Sequence, residues 1–406
     1  MRRTLSVLGC AALLSAAALP LSAQKPAKSA PLARVLVRAE NPLSLERPDE
    51  VIALSWATLR QRLPGLEPAR VRVLDPGSGV EIPSQPIDND GDGTTDELLV
   101  LASFEPGQVR AFAVEPAAAT SPVKARAYAR HIDDRDDIAW ESDRIAYRIY
   151  GQGLWKLENL RSSGIDVWLK RTRALIVDRW YARGHDSYHK DTGEGADFYT
   201  VGESLGAGGD AIWRDGKMYW PINFKSWKIR ASGPIRAIFE LTYDPFDAGG
   251  VQVTETRRFV MDAGQNLFRE ESTFRTEAKA PLTYAIGFVK HPEGQVGSVN
   301  AAGSWSWIST WQPVEKKDGG HGELGLGVLI PRASLVDVKD GADHFFALAT
   351  AEPGQPVVHY IGAGWTASGD FREPQDWWRA LDTLAARLDA PIRVTLASGA
   401  ATVSAR

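Results

Sequence analysis

The chain has 406 residues, a formal net charge of −4 and one cysteine, with charges of both signs mixed along its length. No basic block argues for nucleic acid as a partner, and past the N-terminus no apolar run is long enough to span a bilayer. The 14 tryptophans stand out: a secreted, tryptophan-rich, β-prone chain has the profile of many carbohydrate-active proteins, although burial is the default fate of an indole.

Met1-Arg2-Arg3 is a basic start, followed by an uncharged apolar run and the small-residue site Leu21-Ser22-Ala23. This pattern predicts a secretory signal peptide over 1–23, cleaved near Ala23, and a secreted or periplasmic protein. Cys10 lies inside it, so the mature chain is expected to have no disulfide and no cysteine chemistry. Residues 24–34 read as a linker.

From 35 to 116 short β patterns alternate with turn signals such as DPGSG and EPGQ, predicting a small N-terminal β-sandwich-like domain. EVIALSWATLRQRL is ambiguous between strand and short helix. After a second linker around 117–125, alternating strands run on to about residue 394. Only DWWRALDTLAARLDA, 376–390, reads as a convincing helix, with Trp377, Leu381, Leu384 and Leu388 on one face. The expected architecture over 126–400 is a large antiparallel β-supersandwich of galactose-mutarotase type, with ~15 strands and no repeat that would indicate a propeller.

Four stretches carry candidate chemistry. In IDNDGDGTTDELL, Asp88, Asp90, Asp92 and Asp96 surround two glycines, the oxygen-rich pattern of a calcium loop. The bidentate glutamate of an EF-hand is missing and strands flank the stretch. Any calcium is therefore expected to be structural, and the competing reading is an Asp/Gly hairpin turn. No organic cofactor is expected.

The second stretch is GHDSYHKDTGEGADFYTVGESLGAGG, 184–209. Tyr188, His189, Lys190, Asp191, Glu194, Asp197 and Tyr199 crowd into it. A loop needing only solubility rarely combines histidine, tyrosine and phenylalanine. Histidine titrates near neutrality and tyrosine can act as an acid or base. His185 and His189 have the spacing of two metal ligands on a helix, but the glycines at 184, 193 and 195 argue against a helix there. The third stretch, FVKHPEG, puts Lys290 and His291 at a strand end. The fourth, WSWISTW, places Trp305, Trp307 and Trp311 on one strand face, either as a sugar platform or as a core layer. Trp365, in YIGAGW, is a further candidate for a ligand groove. There is no serine-hydrolase elbow, no nucleotide-binding glycine signature and no HExxH. The abundant carboxylates leave a glycosidase pair open.

DDIAWESDRIAYRIYG, SGIDVWLKR, YHKDTGEGADFYTVGESLGAGG, SGPIRAIFELTYD and YIGAGWTASGDF occur in this order. Over roughly residues 35 to 395 the set resembles a family of secreted bacterial proteins known as a domain of unknown function. The family is associated with polysaccharide-utilisation loci and includes the ulvan oligosaccharide dehydratase.

The resemblance implies elimination of water from a terminal uronic acid of an oligosaccharide, leaving a 4,5-unsaturated uronate. That chemistry needs a base for the C5 proton, an acid for the departing hydroxyl and a cationic clamp for the carboxylate. It casts His189 or Tyr199 as base or acid and Lys190 as clamp. Tyr188, Asp191, Glu194 and Asp197 would serve as sugar or orienting contacts. His291, Lys290 and Arg257 or Arg258 would complete the site. A chain-cleaving polysaccharide lyase and a non-catalytic carbohydrate-binding protein are the alternatives.

Overall fold

A computed structural model describes residues 33–291, 296–314 and 320–396. The expected signal peptide and most of the first linker lie outside these residues. No helix among the described residues is long and apolar enough to cross a membrane.

The N-terminal unit pairs two small antiparallel sheets. One contains Val35–Glu40, Val71–Leu74, Glu81–Ile82 and Val109–Pro116, and the other Arg47–Ser55, Ser84–Ile87 and Glu97–Phe104. The ambiguous segment turns out to be both things in succession. Strand Arg47–Ser55 runs into helix α1, Trp56–Arg62, where the Ser55 hydroxyl accepts from the Thr58 amide. A serine at this position satisfies an amide that the first turn leaves unpaired. The run ELLVLASF is apolar without alternation because it is covered on both faces. Leu98 and Val100 enter the small core, and Leu99 and Leu101 pack on Ile235 and Ile238 of the large unit.

The last described strand, Arg393–Leu396, pairs with Val35–Glu40 rather than with the large unit. Leu396 and Ile392 pack against the small core. The chain thus crosses back over the boundary that the sequence suggested, and the span 126–400 is interrupted at its end.

The large unit holds three antiparallel sheets of five, five and nine strands, more than the ~15 expected. The first comprises Ala127–Ile132, Asp137–Ser142, Ala146–Tyr150, Asp166–Lys170 and Gly195–Asp197. The second is built on Ala207–Arg214, Leu282–Val289 and His344–Ala351, and the nine-stranded sheet centres on Gln252–Asp262, Leu267–Arg275 and Pro356–Trp365. One core draws on all three sheets. Within it the Trp140 indole lies 5.5 Å from the Tyr147 ring, 5.3 Å from Phe259 and 5.2 Å from Phe268. Each such side chain contributes about 1.5–3 kcal/mol on burial. This mainly β supersandwich, preceded by a small β-sandwich, is the architecture that the alternating patterns implied.

Helices lie on the outer faces. α2, Val177–Ala182, and the single turn α3, His185–Tyr188, cover the first five-stranded sheet. α4, Pro374–Asp389, lies across strand Trp305–Pro313.

Candidate functional site

Alternation decides what α2 and α3 cover. In Ile145-Ala146-Tyr147-Arg148-Ile149-Tyr150, Ile145, Tyr147 and Ile149 enter the main core, so Arg148 faces outward beneath the helices. It is nonetheless buried, at 5 % exposure. Its Nε donates to Asp166 Oδ2 at 2.9 Å and its Nη2 to Asp197 Oδ2 at 3.1 Å. Asp137 lies 3.8 Å from Nη1. Burial pushes the Asp137 carboxyl up to about 6, against the pull of Arg148 and Arg135. A buried guanidinium among carboxylates stands only if most of its N–H groups are satisfied. Arg148 therefore acts as a fixed anchor, not as a clamp for a substrate.

On this anchor sit the residues that the sequence singled out. The Tyr188 hydroxyl accepts from Arg148 Nη1 at 3.1 Å, and its ring stacks on Trp168 at 4.8 Å. Burial raises that phenol to about 12, although Arg148 and Arg135 draw it down, so it keeps its proton at neutral pH.

His189 caps α3. Its Nδ1 lies 3.1 Å from the Asp197 carbonyl oxygen and 3.5 Å from Asp197 Oδ2. A donor at Nδ1 fixes the tautomer and leaves Nε2 as the basic nitrogen, and among the described residues no protein group takes Nε2. Burial lowers the His189 pKa below the usual histidine value, and the Asp197 backbone bond opposes this only in part. The side chain is 35 % exposed, so the base is within reach of solvent.

The glycines act here in two places. Gly184 opens α3 at φ 88°. Gly195 has φ 103°, and a Cβ there would lie 1.9 Å from the Leu169 carbonyl oxygen. The expectation that glycines exclude a helix fails for this reason: Gly184 starts one. The single turn brings the His185 and His189 rings to 4.8 Å. His185 Nε2 lies 3.2 Å from Glu158. The pair belongs to no three-residue metal-ligating cluster among the described residues.

Lys190 is exposed beside them, and an open depression is lined by Arg183, His185, Ser187 and Lys190. Arg183 is shared with Glu194, whereas Lys190 has no carboxylate partner among the described residues.

The other predicted residues fall elsewhere or do structural work. Asp191 Oδ1 accepts from the amides of Gly193 and Gly195, and its Oδ2 pairs with Arg171. Glu194 ties the loop to α2 through Arg179 at 2.7 Å. Tyr199 is buried in the main core, its hydroxyl without a hydrogen-bond partner among the described residues, its ring 4.8 Å from His291. His291 Nε2 meets the Thr200 carbonyl at 2.9 Å. Lys290 is bound to Asp340 at 2.6 Å and the Gly341 carbonyl at 3.1 Å.

Arg257, expected as a substrate cation, is 1 % exposed and paired with Glu270 inside the main core. Trp307 and Trp311 are core beneath α4, and Trp305 packs at 5.4 Å from Tyr360. WSWISTW is therefore a core layer and not a platform. Trp365 is buried beneath the Arg171 guanidinium, 4.9 Å away.

In the acidic loop Asp88, Asp90 and Asp96 converge and Asp92 does not join them. Asp88 accepts from the Gly91 and Gly93 amides and Asp96 from Asn89. The Arg230 side chain packs on Gly91. Several of these oxygens thus accept main-chain amides, as in an Asp/Gly turn.

Sequence reasoning assigned no role to Arg148, Asp166 or Asp137, and it set His185 aside. The parity of RIAYRIYG, with arginine opposite isoleucine, was the available signal for Arg148.

Residues 39–394 match the family described as "Domain of unknown function (DUF4861)". A relative from Formosa agariphila, named "Uncharacterized protein P7", is 28% identical over 380 residues, 89% of this chain and 93% of the relative. Among solved structures, an alpha-mannosidase from Enterococcus faecalis V583 superposes with a TM-score of 0.51 at 11% identity, over 90% of this chain and 46% of its own. A glycosyl hydrolase family 38 protein from Enterococcus faecalis gives 0.48 at 10% identity, over 90% and 47%. This chain spans about half the length of those two structures. At such identity the first likeness concerns the β-sandwich fold alone.

Proposed function

Since the chain belongs to the DUF4861 family, we propose that it is a secreted carbohydrate-active lyase that removes water from the terminal uronate of an oligosaccharide, of the ulvan-derived kind. One observation carries this reading: His189 presents Nε2 to solvent while Asp197, itself held by Arg148, fixes Nδ1. This is the arrangement of a general base whose tautomer is set from behind.

In the proposed reaction His189 Nε2 takes the C5 proton, which the neighbouring carboxylate leaves only weakly acidic. Lys190 neutralises that carboxylate and stabilises the enolate-like intermediate. The electron pair forms the C4–C5 double bond, and the C4–O bond breaks. His185, ring to ring with His189, returns a proton so that water leaves. Tyr188 keeps its proton and holds Arg148 in place.

Product mass tests the reading on oligosaccharides ending in saturated glucuronate. Loss of one water with no change in chain length supports it. Cleavage with an unsaturated end indicates a polysaccharide lyase, hydrolysis a glycosidase, and an unchanged substrate a binding protein.

A further inference from the structure

The main core contains a charged network that the proposed reaction does not use. Strand Gln252–Asp262 sends Glu255 and Arg257 inward, strand Leu267–Arg275 sends Glu270 and Ser272, strand Pro356–Trp365 sends His359, and strand Ala207–Arg214 faces them with Asp210. All six are at most 1 % exposed. Register sets the group: Glu270 pairs with His359 and Arg257 with Ser272 across neighbouring strands.

The hydrogen bonds leave specific atoms over. Arg257 bonds Glu270 Oε1 and the Ser163 carbonyl, and Ser272 Oγ donates to Asp210 Oδ2 at 2.5 Å. Among the described residues Asp210 Oδ1, Glu270 Oε2, both ring nitrogens of His359, both Glu255 oxygens and Arg257 Nη2 are buried without a hydrogen-bond partner. His359 Nε2 lies 3.7 Å from Glu270 Oε2. One donor atom from each of Asp210, Glu270 and His359 falls within 4.8 Å of the other two.

Charge points the same way. Asp210, Glu255 and Glu270 bring three carboxyl groups to the single Arg257 guanidinium. Uncompensated charge in a protein interior is strongly disfavoured. A divalent cation would add positive charge here and take one donor atom from each of Asp210, Glu270 and His359.

We propose that Asp210, Glu270 and His359 form a buried binding site for one divalent transition cation, of the zinc class, that locks the nine-stranded sheet to the sheet of strand Ala207–Arg214. One imidazole nitrogen with two carboxylate oxygens suits zinc better than calcium or magnesium, which prefer oxygen donors throughout. Zinc bonds of about 2 Å place donors roughly 3 Å apart, a modest contraction of the present spacing. The site is enclosed, so the cation is structural. It is also separate from the acidic loop around Asp88.

The test is elemental analysis of the full-length mature protein, purified without chelator, together with its melting temperature before and after dialysis against a strong chelator. The site predicts about one tightly held zinc per chain, a lower melting temperature after chelation, and recovery on adding zinc chloride but not calcium chloride. His359→Gln should lose the metal, whereas the control Asp88→Asn/Asp96→Asn should keep it. If His359→Gln does not fold, the metal content and chelator response of the wild-type protein decide alone. Absence of stoichiometric metal, with a melting temperature indifferent to chelator and zinc, overturns the proposal. Metal that follows Asp88 and Asp96 instead of His359 overturns it as well.

Discussion

His189 Nδ1 lies 3.1 Å from the main-chain carbonyl oxygen of Asp197, and the Asp197 carboxylate lies 3.1 Å from Arg148. The exposed face of the imidazole is thus oriented by a buried ion cluster. Its Nε2 is the proton acceptor of the proposed reaction.

The pH profile follows from this placement. Burial lowers the His189 pKa below its ordinary 6.5, and His185 and Arg148 add to the effect. A base acts in its neutral form, so kcat/KM should hold below pH 6.5 and fall only as pH drops through the lowered pKa. The folded state binds this proton less readily than the unfolded chain, so the stability contributed by His189 is present above about pH 6.5 and is lost as pH falls through the folded value. A pH–rate profile with its acid limb above 6.5 contradicts the assignment.

Lys190 is exposed and free of carboxylate partners among the described residues, so its removal should leave the fold intact. Lys190→Ala is expected to weaken uronate binding by roughly tenfold or more, about 1.4 kcal/mol, for one charge-assisted contact. Steady-state kinetics beside a thermal melt checks this. A lowered melting temperature with unchanged kinetics would assign the lysine a structural role.

Tyr199 and Tyr188 should part company. The Tyr199 hydroxyl is buried and unpartnered among the described residues, so Tyr199→Phe is expected to be neutral or to stabilise by up to ~1 kcal/mol. A catalytic proton donor would instead cost about 10²–10⁴ in rate, a loss that the account does not expect here. Tyr188→Phe removes the acceptor of an Arg148 hydrogen bond and should cost roughly 1–3 kcal/mol. Denaturant melts and initial rates on both variants make the comparison.

Arg148→Met should be the most destabilising change in this region. It strands Asp137, Asp166 and Asp197 together out of water, and breaking a buried pair costs about 3–5 kcal/mol. The deficit should shrink toward pH 4, where protonation relieves the carboxylates. A deficit independent of pH would show that packing, and not charge, dominates.

Much of the fold could be read from alternation, because half-buried antiparallel strands repeat every two residues. The same rule places Arg257 inside. Arg257 shares parity with Val253, Phe259 and Met261, all of which face the core. A charged residue in phase with an apolar face is buried, and Glu270, in phase with Phe268 and Phe274, is a second case.

The block YHKDTGEGADFY was legible as a cluster of proton-active groups, but its division of labour was not. Asp191 and Glu194 are spent on the loop's own amides and on Arg179, which depends on chain crossings far apart in sequence. WSWISTW was undecidable for the same reason: strand parity gives a shared face, and only α4 decides that the face is covered. The acidic loop gave a composition shared by calcium sites and Asp/Gly turns.

The most direct measurement is the ultraviolet absorbance of an unsaturated uronate, followed with wild-type protein and with His189→Ala on oligosaccharides ending in saturated glucuronate. The account predicts a steady rise with wild type and a rate lower by about 10²–10⁴ with a folded His189→Ala. No rise with wild type across ulvan-, glucuronan- and pectin-derived oligomers, or equal rates for the two proteins, would contradict it.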